Sequence, residues 1–90
     1  MEIDELDWDD WNQAHITKHG CTLEDVEFIC NGDHVLIRES YKGRIVIAGP
    51  NAAGRCISII VGLGPDAPPG LWYPFSARPS TRQERSIYGQ

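Results

Sequence analysis

The chain has 90 residues, a formal net charge of −5 and 41% hydrophobic residues. This length is enough for one domain and too short for two, so residues 1–90 are predicted to form a single domain. No stretch reaches the roughly 18–20 apolar residues of a membrane span, and the acidic start has neither the basic nor the apolar region of a signal peptide. These properties argue against a membrane partner and predict a soluble, cytoplasmic protein.

The negative charge is concentrated at one end of the chain. Residues 1–10 contain six acidic residues and no basic residue, and we interpret residues 1–8 as an acidic leader. The remaining residues contain seven acids against eight lysines and arginines. RNA binding requires positive charge opposite the phosphates. The distribution permits an anion-binding face near the C-terminal end, where residues 71–90 hold three arginines and one glutamate.

The cysteine pattern excludes two common classes of small protein. The three cysteines are an odd number and include no C-x-x-C pair. This pattern argues against a disulfide framework and against a zinc ribbon. Reduced, mostly buried thiols are therefore predicted.

Two helices are predicted near the N-terminus, after a short edge strand within residues 3–8. Asp9 or Asp10 can cap a first helix that runs to about His19, and Gly20 suits the left-handed residue that follows a helix. A capping-box-like start at residues 22–25 begins a second, amphipathic helix that ends at Asn31-Gly32. Two short helices joined at Gly20 predict a helical hairpin.

The hydrophobic period then changes to two. Strands are predicted over about residues 35–38, 44–48, 55–61 and 71–78. The turns between the first three are too short for parallel crossovers, which predicts an antiparallel meander. Residues 62–70 form a proline-rich loop, and Pro74 implies an edge position or a bulge in the last strand. A final helix is predicted over residues 81–88, with Ser80 as its cap.

The predicted element order is β-α-α-β-β-β-β-α. This order indicates an α+β fold with two layers, in which the short N-terminal helical hairpin packs on a curved antiparallel sheet.

Three side chains of the first helix could transfer protons. His15 and His19 are four residues apart and share a helix face, which Lys18 borders. Histidine can act as acid or base near neutral pH. Alternatively, the histidines could cap the end of the helix, or they could bind zinc with Cys21 or His34 as a third ligand.

Arg78 is the strongest candidate for a phosphate ligand. In the last predicted strand it alternates with Ser76 and Trp72, so these three side chains are predicted to share a face. Its guanidinium fork would lie near the start of the final helix, where phosphate is favoured. The alternative is a structural ion pair with Glu84 or an N-terminal acid. Arg44 and Arg55 begin adjacent strands and could form a basic stripe with Arg78, or could simply be solvated.

Two motifs indicate a family. The first is Asn12-x-x-His15-x-x-Lys18-His19-Gly20, followed by Thr22-x-Glu24-Asp25, and the second is Phe75-Ser76-Ala77-Arg78-Pro79-Ser80-Thr81, followed by Glu84 and Tyr88. Gly43-Arg44 and Gly54-Arg55 lie between them, at the starts of successive strands. With the predicted element order, these motifs resemble the BrnT toxins of type II toxin–antitoxin pairs, which share the RelE-type ribonuclease fold. The resemblance spans about residues 8–88.

The resemblance implies a ribonuclease toxin that inhibits growth by cleaving RNA without a metal ion or other cofactor. The catalytic candidates are Arg78, His19, Lys18, His15 and Tyr88, and the candidates for binding RNA phosphates are Arg44, Arg55, Ser76 and Arg82. The implied partners are RNA and a cognate antitoxin, with DNA bound only indirectly through the antitoxin. The alternative is a catalytically silent protein-binding module on the same scaffold. Arginines clustered on one concave surface would favour the ribonuclease, whereas dispersed arginines paired with acids would favour the module.

Overall fold

The computed structural model describes residues 3–63 and 67–89, so Glu2 of the acidic leader and Pro65 of the predicted loop lie outside the described residues. Within these ranges the predicted element order and the α+β class are confirmed. The elements are β1 (Glu5–Leu6), α1 (Asp10–Lys18), α2 (Leu23–Asn31), β2 (Val35–Glu39), a 3-10 turn (Tyr41–Gly43), β3 (Ile45–Pro50), β4 (Cys56–Gly62), β5 (Leu71–Pro79) and α3 (Arg82–Tyr88).

The five strands form one sheet in the order β1-β5-β4-β3-β2. Strands β2 to β5 form the predicted antiparallel meander. Strand β1, however, pairs in parallel with the start of β5, with Glu5 opposite Leu71, so the sheet is mixed. Most of the chain separates β1 from β5, and no tight turn restricts their relative direction.

Each helix begins with a capping box. Asp9 caps α1 and Thr22 caps α2, as the sequence predicts. The cap of α3 is Thr81 and not Ser80: the Thr81 hydroxyl accepts from the Glu84 N–H, and the Glu84 carboxylate accepts from the Thr81 N–H. Ser80 is buried, with its hydroxyl in a hydrogen bond inside the domain. The sequence offers two neighbouring hydroxyls, Ser80 and Thr81, as the cap. Only the burial of Ser80 in the folded protein shows that Thr81 is the cap.

The helical hairpin packs on one face of the sheet, which we call the hairpin face. Gly20, with φ +83°, adopts the predicted left-handed conformation between α1 and α2. Gly49 on β3 lies so close to the Asp33 carbonyl and to Ile29 of α2 that a larger residue would clash. The core between hairpin and sheet includes the buried side chains of Ile16, Val26, Ile29, Ile47, Ile57, Ile59, Val61 and Ala77.

The opposite face of the sheet carries α3, and we call it the α3 face. Side chains alternate along a strand, so the residue between Ile57 and Ile59 of the hairpin core points away from the hairpin. That residue is Ser58, and its hydroxyl donates to Glu84 of α3. Val46, which alternates with Ile47 of the hairpin core, is also fully buried. The seven residues of α3 cover only part of this face.

A β-bulge in β5 changes which residues share a face. Ser76 pairs with Ile60, but Pro74 pairs with Val61, so Phe75 is the extra residue. This irregularity confirms the bulge that Pro74 implied. It also overturns the prediction that Trp72 shares a face with Ser76 and Arg78. Trp72 packs against the hairpin core, whereas Ser76 and Arg78, after the bulge, lie on the α3 face.

The predicted burial of the cysteines is confirmed. Cys21, Cys30 and Cys56 are all buried and free. Burial raises the pKa of the Cys30 thiol to about 12, with a smaller contribution from the nearby charge of Glu27. Among residues 3–63 and 67–89, none of the helices has the length and hydropathy needed to span a bilayer.

Candidate nucleic-acid interface

An open groove of about 740 Å³ lies beside α1 at one end of the α3 face. Its floor consists of β4 and β5 residues, and its walls are the exposed side of α1, the start of β3 and the ends of the loop between β4 and β5. The lining residues are Asp7, Asp9, Trp11, His15, Arg44, Ile60, Leu63, Ala67, Leu71, Tyr73, Phe75 and Ser76. Three of the residues predicted at a site, His15, Arg44 and Ser76, therefore meet here although they belong to three different elements.

Aromatic rings, histidine rings and the Arg44 guanidinium contact one another around this groove. The Trp11 ring, 56% exposed, stacks on the His15 imidazole with centroids 4.8 Å apart and an angle of 8° between the planes. The His19 ring meets His15 edge-to-face at 5.0 Å. The Arg44 guanidinium lies over the Phe75 ring, 3.8 Å from its centroid. This cation–π contact holds the guanidinium at the groove, and within residues 3–63 and 67–89 Arg44 forms no salt bridge.

Asp9, the cap of α1 directly after the acidic leader, lies at the groove. The Tyr73 hydroxyl donates to the Asp9 carboxylate at 2.8–2.9 Å. The Asn12 N–H and the Tyr73 hydroxyl hold the pKa of Asp9 below its usual value. Desolvation, followed by the hydrogen bond to Asp9, raises the pKa of Tyr73 to about 12. This contact ties the start of α1 to β5 and sets one wall of the groove.

Arg78 forms the ion pair that the sequence left as its alternative role. Both terminal nitrogens of its guanidinium donate to the Glu84 carboxylate, at 2.6 and 2.7 Å. Glu84 is 4% exposed and also accepts from Ser58 and from the Thr81 N–H. The Arg78 hydrogen bonds hold the pKa of Glu84 far below its usual range, although burial acts in the opposite direction. The Arg78 fork is thus already occupied, and its predicted contact with phosphate remains a prediction.

Arg38 is a second arginine at this carboxylate, and the sequence analysis missed it. Its Nη1 lies 3.5 Å from Glu84 Oε2, and its side chain is 55% exposed. Arg38 pairs across the sheet with Val46, and therefore lies on the α3 face. The short turn at residues 41–43 could have indicated the position of Arg38 from the sequence. This turn joins β2 and β3 in a hairpin, which places Arg38 near Arg44 on one face of the sheet.

The predicted stripe of Arg44, Arg55 and Arg78 does not form. Strands β3 and β4 are antiparallel, so Arg44 before β3 and Arg55 before β4 lie at opposite ends of the pair, about 20 Å apart for six residues of strand. Arg55 lies instead near Cys21, whose raised pKa it partly opposes. In an antiparallel meander, consecutive strands start at opposite ends of the sheet. The predicted stripe was therefore incompatible with the antiparallel meander, which was itself predicted correctly.

The other predicted site residues lie outside the groove. Lys18 is exposed at the end of α1, one residue before His19. Arg82 is exposed at the first position of α3. Tyr88 is half-buried at the other end of α3, where burial, followed by the charges of Asp33 and Cys56, raises the pKa of its phenol. The structure therefore brings Tyr88 near neither His15 nor Arg44.

The zinc alternative is not supported in the part of the chain that the structure describes. There, no three histidine, cysteine or acidic side chains converge in a way that could hold a metal ion. His34, one of the possible third ligands, lies with its Nδ1 at 3.1 Å from the Ile29 carbonyl oxygen. Cys21, the other, is buried under the hairpin.

Comparisons with known proteins do not assign the chain to a family. No family model matches it, and a search of the curated proteins finds no match. The two motifs and the chemistry of the groove are therefore the features that bear on function. That chemistry combines exposed aromatic faces for stacking, the Arg44 guanidinium, a hydroxyl and the His15 ring, which the His19 ring contacts.

Proposed function

We propose that this protein is a cytoplasmic ribonuclease toxin that binds single-stranded RNA in the groove and cleaves it without a metal ion. The observation that carries the proposal is the meeting of His15, Arg44 and Ser76 in one groove lined by aromatic rings. His15 lies in the first of the two motifs that resemble the BrnT toxins, and Ser76 lies in the second. The groove therefore brings the two motifs together. The resemblance implies the reaction, and the groove supplies residues suited to it.

The aromatic rings suit unpaired bases. Trp11 is more than half exposed, and Tyr73 and Phe75 meet edge-to-face at 4.8 Å on the groove floor. Stacking on aromatic side chains is the usual way in which proteins hold splayed-out RNA bases, and each base contributes about 1–3 kcal/mol. Bases inside a duplex cannot reach such rings. A single-stranded segment is therefore the proposed substrate.

The polar groups suit cleavage next to a stacked base. The ribose 2′-hydroxyl loses its proton and attacks the adjacent phosphorus, the P–O5′ bond breaks, and the leaving oxygen takes up a proton. The products are a 2′,3′-cyclic phosphate and a 5′-hydroxyl. His15 and the adjacent His19 supply the base and the acid. Arg44 and the Ser76 hydroxyl stabilise the charge that develops on the phosphoryl oxygens.

The first experiment compares growth and RNA integrity after induced expression in a bacterial host. Wild-type protein is expected to arrest growth and degrade RNA. His15→Ala removes a proton-transfer group and Arg44→Gln removes the charge that stabilises the transition state, and we expect either variant to lower cleavage at least about 100-fold. Purified protein and end-labelled RNA give the rate, and the 2′,3′-cyclic phosphate identifies the chemistry.

Arg55→Gln is the matched control for Arg44→Gln. It removes the same charge from an exposed arginine at the far end of the β3–β4 pair, and should leave cleavage unchanged. Thermal unfolding of each variant shows whether the fold is kept. Normal growth and intact RNA with abundant, folded wild-type protein would contradict the proposal.

The catalytically silent binding module is a second candidate, because Arg78 and Arg38 are paired with Glu84 and because Asp7 and Asp9 line the groove. Carboxylates repel phosphate but suit a basic peptide. In that case the groove holds a protein segment, and His15→Ala changes neither growth nor RNA. The resemblance also implies a cognate antitoxin, which would neutralise the toxin by covering the sheet face, and contact with DNA only through the antitoxin.

A further inference from the structure

Half of the positive side chains lie around α3, beside the groove. The chain has eight lysines and arginines. Four of them, which we call the α3 arginine cluster, are on α3 or on strand residues that face it: Arg38, Arg78, Arg82 and Arg85. Glu84 lies among these arginines. Glu39 does not, because it pairs with Ile45, whose side chain packs toward the hairpin core, and the Glu39 side chain therefore projects to the hairpin face. In a chain of net charge −5, this cluster is a local excess of positive charge.

The cluster is continuous with the groove. Arg38, Val46, Ile60 and Ser76 are successive partners across the four antiparallel strands, and the last two line the groove. With strands about 4.8 Å apart, Arg38 lies about 14 Å from Ser76. Arg78 lies two residues beyond Ser76 on β5, about 7 Å away. An RNA strand that leaves the groove across β5 therefore passes directly over the cluster.

In the part of the chain that the structure describes, Arg38 and Arg82 are the arginines of the cluster whose guanidinium groups are least engaged in hydrogen bonds. Arg78 gives both terminal nitrogens to Glu84, and Arg85 donates to the Ser80 carbonyl at 2.8 Å. Arg38 makes a longer contact of 3.5 Å with Glu84 and is 55% exposed. Arg82 is exposed on the first turn of α3. Glu84, itself held by Arg78, thus positions Arg38 without neutralising the whole cluster.

We infer that the α3 arginine cluster is a second phosphate-binding site, which holds the backbone of the same RNA strand whose bases occupy the groove. This inference rests on the proposed function and deepens it, because it defines the substrate as a strand longer than the groove alone can hold. Arg38 and Arg82 are its phosphate ligands. Arg78 and Glu84 are positioning residues.

The test measures binding of uncleavable RNA at several salt concentrations. The probes are fluorescein-labelled 2′-O-methyl RNAs of random sequence, two and eight nucleotides long, followed by fluorescence anisotropy. We expect wild-type protein to bind the octamer more tightly than the dimer. Arg82→Gln should weaken octamer binding and reduce the slope of log K against log salt concentration by about 0.7, with little effect on the dimer. Arg38→Gln should act in the same way.

Arg55→Gln again serves as the matched control, since it removes an exposed arginine that lies near Cys21 of the helical hairpin and not among the residues that face α3. Equal losses in Arg82→Gln and Arg55→Gln, or equal losses for dimer and octamer, would overturn the inference and leave the groove as the RNA site. Failure of wild-type protein to bind either RNA would overturn both the inference and the proposed function. Arg82 makes no side-chain hydrogen bond within residues 3–63 and 67–89, so its variant is expected to fold.

Discussion

The two faces of the sheet are built differently. The hairpin face is an apolar core, closed by α1 and α2, in which Ile47 and Ile59 have no exposed surface. The α3 face is covered in part by a short helix held by the Glu84 network, and the rest is an open groove. Apolar burial stabilises the fold on one side and leaves the other side available for polar chemistry. The difference shows how a 90-residue chain can keep a stable core and still expose reactive groups.

The largest expected effect is a difference in the free energy of unfolding between substitutions at two neighbouring residues of β4, whose side chains lie on opposite faces of the sheet. Ile59 is fully buried in the hairpin core, whereas Ile60 is half-buried and lines the groove. Ile59→Ala should lower the free energy of unfolding by about 2–5 kcal/mol, since it leaves a cavity. Ile60→Ala should cost clearly less, because its side chain already contacts solvent. Urea unfolding gives both values, and equal losses would remove the contrast between the faces.

The next effect concerns the ion pair under α3. Glu84→Gln leaves the Arg78 guanidinium without its charged partner beside a buried amide, and should lower the free energy of unfolding by about 2–3 kcal/mol. Glu39→Gln removes an exposed acid from β2 and should change stability by less than about 0.5 kcal/mol. Chemical denaturation followed by circular dichroism tests both. A similar small loss in both variants would mean that the network does not stabilise α3.

Acid should weaken the same network. The pKa of Glu84 is lowered in the folded protein, so the unfolded chain takes up a proton first as the pH falls. The stability that Glu84 contributes is therefore fully present at neutral pH, declines as the pH drops below about 4.3, and is lost as the pH falls through the lowered value. The difference in urea midpoint between wild type and Glu84→Gln should narrow between pH 7 and pH 3. A constant difference would argue against a charged Glu84.

The smallest expected effect is the removal of one tyrosine titration at the groove wall. Tyr73 keeps its proton until its raised pKa of about 12, so its hydrogen bond to Asp9 persists at neutral pH and is lost only in strong alkali. Ultraviolet titration should show a tyrosine that ionises near pH 12, and Tyr73→Phe should remove this component. Tyr41→Phe, at an exposed turn, should leave it in place. Persistence of the component in Tyr73→Phe would place the raised pKa on another tyrosine.

Much of the fold follows from local sequence patterns. The hydroxyl or carboxylate caps at Asp9 and Thr22, the left-handed Gly20 and the short turns between alternating strands each act over a few residues. They determined the element order, the helical hairpin and the antiparallel meander. Pro74 also indicated either an edge position or a bulge, because proline has no N–H for the ladder, and the structure has the bulge. The two motifs contain His15 and Ser76, Arg44 lies between the motifs in the sequence, and the structure brings these three residues together at the groove.

The tertiary structure alone decided which side chains meet. The bulge after Pro74 moved Ser76 and Arg78 to the face opposite Trp72, because one extra residue reverses the alternation of a strand. Strand direction separated Arg44 from Arg55, and burial gave the cap of α3 to Thr81. Register placed Arg38 beside Glu84. Local patterns specify each element, but contacts between distant elements depend on register, direction and burial, which arise only when the whole chain packs.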